Sequence, residues 1–151
     1  TCVYQLAARI AGMISRVLVA VDGSDLSERA LRYALDAHPG AAVSVVHVVG
    51  SASPMMGSAA GIALSETGAD GIREAAEPVF DRAREIAAEH DATVDTVVEV
   101  GRPARGILNR AEEFDVVVLG THGGSIADRL LVGDVAKTVF RRSPVPVTVV
   151  R

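Results

Sequence analysis

Five stretches of this chain consist mostly of valine and other apolar residues, and between them apolar positions recur at steps of three and four. Arg16–Asp22 (RVLVAVD), Ala42–Val49 (AVSVVHVV), Thr93–Val100 (TVDTVVEV), Asp115–Leu119 (DVVVL) and Val145–Val150 (VPVTVV) each read as a strand. β-Branched side chains suit a pleated backbone. Apolar runs without strict alternation belong to strands covered on both faces. Between the runs, Leu26, Ala30, Tyr33/Ala34 and Ala37 share one helix face, as do Ile72, Ala76, Val79, Ala83, Ile86 and His90. Ile107, Leu108 and Ala111 form the inner face of a third helix, and Val135 and Val139 mark a last one.

Local chemistry places the ends. Ser24 suits an N-cap, and His38-Pro39-Gly40 stops the first helix. Pro103 fits a first helical turn, and Ser143-Pro144 ends the last helix at Arg141-Arg142. Pro78 is expected to kink the long helix or to mark its start. Gly50–Ser65 has no charge and is rich in Ser, Gly and Ala. It reads as a long mobile loop of the kind that often carries function. Strands alternating with helices imply a parallel sheet with helices on both sides and right-handed crossovers. Pro146 cannot donate to a central ladder, so the last strand is expected at an edge.

With 151 residues the chain has room for one domain with a real core. A net charge of -4 argues against broad electrostatic binding to nucleic acid or an anionic membrane. Aromatic residues make up 3% with no Trp, too few for a base-stacking platform or the walls of a flavin site. No apolar run reaches membrane-spanning length. The one cysteine, Cys2, makes no internal disulfide and fits a reducing, cytoplasmic setting. Of the 15 Lys and Arg residues, Lys137 is the single lysine. A Walker-type loop, which needs a lysine directly after its second glycine, is therefore excluded. Residues 1–12 read as an N-terminal extension or start-site remnant, ahead of a domain over 13–151.

The candidate chemistry lies where the fourth run ends. Gly120-Thr121-His122-Gly123 is followed nine residues later by Gly133, Asp134 and Val135. Glycines let backbone amides approach a ligand, and the start of the last helix attracts anions. Ligands of open α/β sheets bind beyond the carboxyl ends of strands where the strand order reverses. If the first and fourth strands are neighbours, Asp22 faces this cradle, ready to accept hydrogen bonds from a base or ribose while the cradle takes phosphate. The plain alternative for Gly120 and Gly123 is a tight strand–helix turn, and for Asp22 a turn residue.

Asp134 stands at the anion position. As an N-cap it would fill its own helix start. A phosphate at ~4 Å would meet about 4 kcal/mol of repulsion at an effective dielectric of ~20. A third of that costs about tenfold in affinity. A bound Mg²⁺ would reverse the sign by bridging carboxylate and phosphate. His47, in an apolar strand, reads as a satisfied core histidine, while His38 and His90 end helices. The four histidines show no metal-ligand spacing. Ser24, Ser27, Thr121 and Ser125 lack the His partner and orienting acid of a nucleophile.

Taken together, VLVAVDGSDLSERAL, VSVVHVV, GRPARGIL and DVVVLGTHG…LLVGDVAKTVFRRSPVPVTVV resemble the universal stress proteins from Met13 to Arg151. The resemblance implies a single Rossmann-like three-layer α/β sandwich (adenine nucleotide alpha hydrolase-like), its five-stranded parallel sheet ordered 3-2-1-4-5. It implies a homodimer through Val145–Val150. It also implies an ATP or other adenine-nucleotide site in which Gly120, Gly123 and Gly133 match the phosphate motif. Ala20, Asp22 and Val48 match adenosine-side positions, and Val135 a backbone contact. Two positions depart from the nucleotide-binding pattern: Asp134 replaces a Ser or Thr, and Gly124 an Arg or Lys. The first reading is a dimeric nucleotide sensor or regulator without enzymatic turnover. The alternatives are a nucleotide-free dimer working through protein contacts, with Asp134 closing the phosphate site, and a slow ATPase.

Overall fold

The computed structural model describes residues 13–50, 54–121 and 133–151, with the side chains of 54–68 left aside. The described elements run β1 (Arg16–Ala20), α1 (Asp25–Ala37), β2 (Ala42–Val49), α2 (Pro54–Glu89), β3 (Val94–Val100), α3 (Pro103–Ala111), β4 (Val116–Gly120), α4 (Asp134–Arg142) and β5 (Val147–Val150). The sheet is wholly parallel in the order β3-β2-β1-β4-β5. This is the Rossmann-like sandwich expected, and β5 lies at an edge. Pro146 directly precedes β5, and its carbonyl accepts from the Val117 amide at 3.0 Å, a role that needs no N–H of its own.

Strand alternation divides the core between two layers. Val17, Val19, Val43, Val45, Val116 and Val118 pack against Ala30, Leu31 and Ala34 of α1 and Ala76, Phe80, Ala83 and Ile86 of α2. Leu18, Val46, Val117 and Leu119 meet Ile107 and Ala111 of α3 and Ala136 and Val139 of α4. Both faces of β1 and β4 are thus buried, which is why these runs are apolar at successive positions.

Over Gly50–Glu89 one sequence expectation fails, and of the two alternatives for Pro78 the helix start falls away. The long loop expected at Gly50–Ser65 is helical from Pro54 onward, and Pro78 lies inside that helix rather than at its start. The Ser and Gly content suggested a loop, but Met55, Met56, Ala59, Ala60, Ala63 and Leu64 are good helix formers. Pro78 sits on an exposed position, while Ala76, Phe80 and Ala83 around it are buried against the sheet. That packing offsets the hydrogen bond the proline removes.

At the amino ends of the strands, Asp115 ties β1 to β4. Its Oδ2 accepts from the Ser15 amide, the Ser15 hydroxyl and the Arg16 amide, each at 2.9 Å. The Arg16 guanidinium lies 4.9 Å above the Phe114 ring. Helices α1 and α2 are joined by charge. Arg82 donates to both oxygens of Glu28 at 3.0 and 3.1 Å, and Arg32 pairs with Glu89. The His90 Nε2 is 3.3 Å from Asp36.

Candidate functional site

The decisive placement is at the carboxyl ends of β1 and β4. These strands are direct neighbours, with Val17, Leu18 and Val19 in register with Val116, Val117 and Val118. The order reverses here: β2 follows β1 on one side and β4 lies on the other. The crevice of an open α/β sheet forms at this switch point.

The first wall is the turn after β1. Beyond Ala20 the Val21 amide still donates to the Val46 carbonyl at 2.9 Å. The chain then turns at Gly23, whose φ of 82° lies in the left-handed region that glycine tolerates. Asp22 is exposed, and its Oδ1 accepts from the Ser24 amide at 2.9 Å. The Ser27 hydroxyl accepts from the Asp22 amide at 3.3 Å and donates to the Ser24 carbonyl at 2.9 Å. Ser24 caps α1 as expected, accepting from the Ser27 amide at 3.2 Å. Asp22 is therefore a turn residue, and its second carboxylate oxygen makes no hydrogen bond within the described residues.

The second wall is the end of β4. Thr121 is buried; its amide donates to the Val150 carbonyl at 2.9 Å and its carbonyl accepts from the Gly133 amide at 2.6 Å. That bond sets the start of α4 beside the β4 tip. Gly133 is the N-cap and Asp134 the first helical residue, exposed to solvent. The expectation that Asp134 caps its own helix is thereby corrected. The tie to Thr121 draws Gly133 into the cap position, so the carboxylate falls one residue too late to reach back. The first helical bond runs from the Lys137 amide to the Gly133 carbonyl, so the amides of Asp134, Val135 and Ala136 have no acceptor in the helix.

Gly120 has a packing reason of its own. A Cβ there would lie 3.0 Å from the Leu26 Cβ and 3.1 Å from the Leu26 carbonyl carbon and oxygen, so α1 crosses the strand tip at backbone distance. Ala20 and Val48 both pack toward the α3 and α4 layer. Val48 sits where Gly106 of α3 lacks a side chain: a Cβ on Gly106 would be 2.6 Å from the Val48 Cγ2. Val135 is 37% exposed at the start of α4. Gly123, His122 and Gly124 lie outside the described residues.

His47 is half-buried on the opposite face. Its Nδ1 is 2.8 Å from the Val21 carbonyl, and its ring meets the edge of Phe80 with centroids 6.4 Å apart. As the Val21 carbonyl can only accept, His47 donates from Nδ1. The core-histidine reading holds. Among the described residues no group of His, Cys, Asp or Glu is placed to hold a metal ion. The Ser27 hydroxyl is engaged by backbone rather than by an imidazole. Sequence reasoning missed Thr121 as an anchor and the close approaches at Leu26 and Gly106. The signal for the last was available: a glycine inside an amphipathic helix costs about 1 kcal/mol against alanine and so marks crowding.

The family model for the universal stress proteins matches residues 13–151. The chain belongs to the universal stress protein family. Universal stress protein YxiE of Bacillus subtilis (strain 168) is 35% identical over 148 residues, covering 92% of this chain and all of that protein. A universal stress protein solved in complex with cAMP is 26% identical at a TM-score of 0.65, over 91% of this chain and 97% of that one. The universal stress protein of Archaeoglobus fulgidus in complex with dAMP is 25% identical at a TM-score of 0.62, over 91% and 98%.

Proposed function

We propose that this universal stress protein binds an adenine nucleotide in the crevice between the β1 and β4 tips and acts as a nucleotide-dependent regulator without turnover. The observation that carries the reading is the bond from Gly133 to Thr121, which sets the amides of Asp134, Val135 and Ala136, without an acceptor among the described residues, beside the strand tip. The exposed Asp22 carboxylate ends the neighbouring strand. Helix-start amides suit a phosphate, and a carboxylate suits ribose hydroxyls or a base amine. Relatives solved with cAMP and dAMP support the ligand class. In this reading Ala20 and Val48 line the adenosine side, Gly120, Gly123, Gly133 and Asp134 surround the phosphate, and Val135 contributes its amide. Mg²⁺ is an accessory when the phosphate chain is long.

The regulator reading rests on what the site lacks. Among the described residues no nucleophile has a general base beside it. The same proposal places the chain in the cytoplasm as a homodimer through the β5 edge, whose Val147-Thr148-Val149-Val150 carries no charge to ward off a second strand. No helix of the described residues is long and apolar enough to cross a membrane. A second reading, a nucleotide-free dimer working through protein contacts, draws support from Gly120, where a Cβ would come within 3.0 Å of Leu26 with or without a ligand.

Isothermal calorimetry of the full chain with AMP, cAMP and ATP, with and without Mg²⁺, separates the two. One saturable site per chain is expected, weakened by Asp22→Ala; no heat with any of the three leaves the nucleotide-free dimer standing. Sedimentation should give twice the chain mass.

A further inference from the structure

We infer that Gly106 of α3 is a positioning residue for the base side of the crevice: its missing side chain leaves Val48 the place from which an apolar wall faces the base. The inference rests on the nucleotide reading above and deepens it. On the α3 and α4 side of the sheet the apolar surface continues past the core toward the strand ends. Ala20 is in register with Val46, and Val48 follows two residues later on the same face of β2. Val46 is 1% exposed, whereas Ala20 and Val48 are half-buried and pack against the same cluster. Half-covered apolar positions at the carboxyl ends of strands suit the flat face of a base.

Val48 owes its position to α3. A Cβ on Gly106 would lie 2.6 Å from the Val48 Cγ2 and 3.1 Å from its Cγ1. It would also lie 3.0 Å from the Cβ of Glu99, the residue in register with Val48 on β3. Carbon atoms rest at about 3.5–4.0 Å from one another, so the added atom forces a shift of about 1 Å. Lifting α3 would uncover Ile107 and Ala111, which are buried beside Gly106. It would also break the ion pair of Arg110, one helical turn further on, with Glu99. The strain therefore falls on Val48, half-buried at the strand end. A β-branched side chain is stiff at χ1, so its methyl groups are displaced together with the backbone that carries them. The displaced group is the base wall, so the effect separates nucleotides from sugar phosphates that have no base.

The test measures dissociation constants of AMP and ribose 5-phosphate for the full chain and for Gly106→Ala, Val48→Ala and the double variant, with urea unfolding of each alongside. The native chain should bind AMP at least about tenfold more tightly than ribose 5-phosphate. Gly106→Ala should weaken AMP by about tenfold and move ribose 5-phosphate by less than about threefold. Val48→Ala removes the methyl groups that the new Cβ would strike. It should weaken AMP by about threefold, and adding Gly106→Ala to it should cost AMP less than about threefold more. If Gly106→Ala alone fails to fold, Val48→Ala and the double variant decide by that same criterion. The inference is overturned, and the nucleotide site left standing, by any of three results. These are equal native affinity for AMP and ribose 5-phosphate, Gly106→Ala that spares AMP or weakens both ligands alike, and a further loss of about tenfold for AMP in the double variant relative to Val48→Ala. Binding of neither ligand to the native chain overturns the nucleotide reading and the inference together.

Discussion

The β1–β4 pair carries an aspartate network at one end and two exposed aspartates, Asp22 and Asp134, at the other, and the two ends use the same side chain differently. At the amino end the half-buried Asp115 accepts at least three hydrogen bonds and joins two strands. At the carboxyl end Asp22 holds one bond to its own turn and Asp134 makes none with a described residue. A carboxylate whose lone pairs are filled by its own fold stabilises that fold and has little left for a ligand. A carboxylate left open in water contributes little to stability and remains able to bind or repel. Satisfaction, rather than residue type or exposure alone, separates structural acids from candidate ligand-facing ones.

The largest expected effect lies at the filled end. Asp115→Ala should lower unfolding free energy in urea by about 3 kcal/mol, because it orphans donors that shared a charged acceptor. Nucleotide affinity of the protein that stays folded should not change. A loss under about 1 kcal/mol would show that the network is ornamental.

Gly120→Ala comes next. The new Cβ would press on Leu26 backbone, which cannot yield as a side-chain tip would, and overpacking of this kind costs about 1–3 kcal/mol. The cost should be the same with and without nucleotide. A stable variant that has lost binding would move Gly120 from packing to ligand contact.

Asp22→Ala should reverse the pattern of Asp115→Ala. Stability should fall by less than about 1 kcal/mol, since one exposed turn bond is lost. Adenine-nucleotide affinity should drop by about tenfold or more, the worth of a charged hydrogen bond. Similar losses for the two aspartates in stability would erase the distinction between the ends.

The smallest effect belongs to a carboxylate of a third kind. Glu89 is exposed, and its hydrogen bond from Arg32 holds its carboxyl below the usual carboxylate range. A lowered carboxyl adds stability that is present above its unfolded pKa and is lost as pH falls through its folded value. Glu89→Gln should therefore flatten the acid limb of a stability–pH curve slightly and leave neutral pH almost unchanged. A marked loss at pH 7 would contradict the small worth of surface pairs.

Much of this architecture was legible before any coordinates. The valine runs, the Ser24 cap, the stop at His38-Pro39-Gly40, Pro103 at the start of α3 and the end of α4 at Arg142 are local properties of backbone and side chain. Pro146 identified the edge strand for the same reason. The stretch Gly50–Ser65 was misread because small residues serve loops and helices alike. The outcome depends on what the helix packs against further along, at Ala76, Phe80 and Ile86.

What the chain order determined by itself, then, is the set of elements, their parallel pairing and the candidate glycines and acids, since each follows from periodicity or local conformational preference. What only the tertiary structure decided is which acids are filled and which are open. The Gly133–Thr121 bond made Asp134 a first helical residue instead of a cap, and α1 crossing the β4 tip gave Gly120 a packing role. Those outcomes turn on contacts between residues far apart in the chain, whose distances no local pattern encodes.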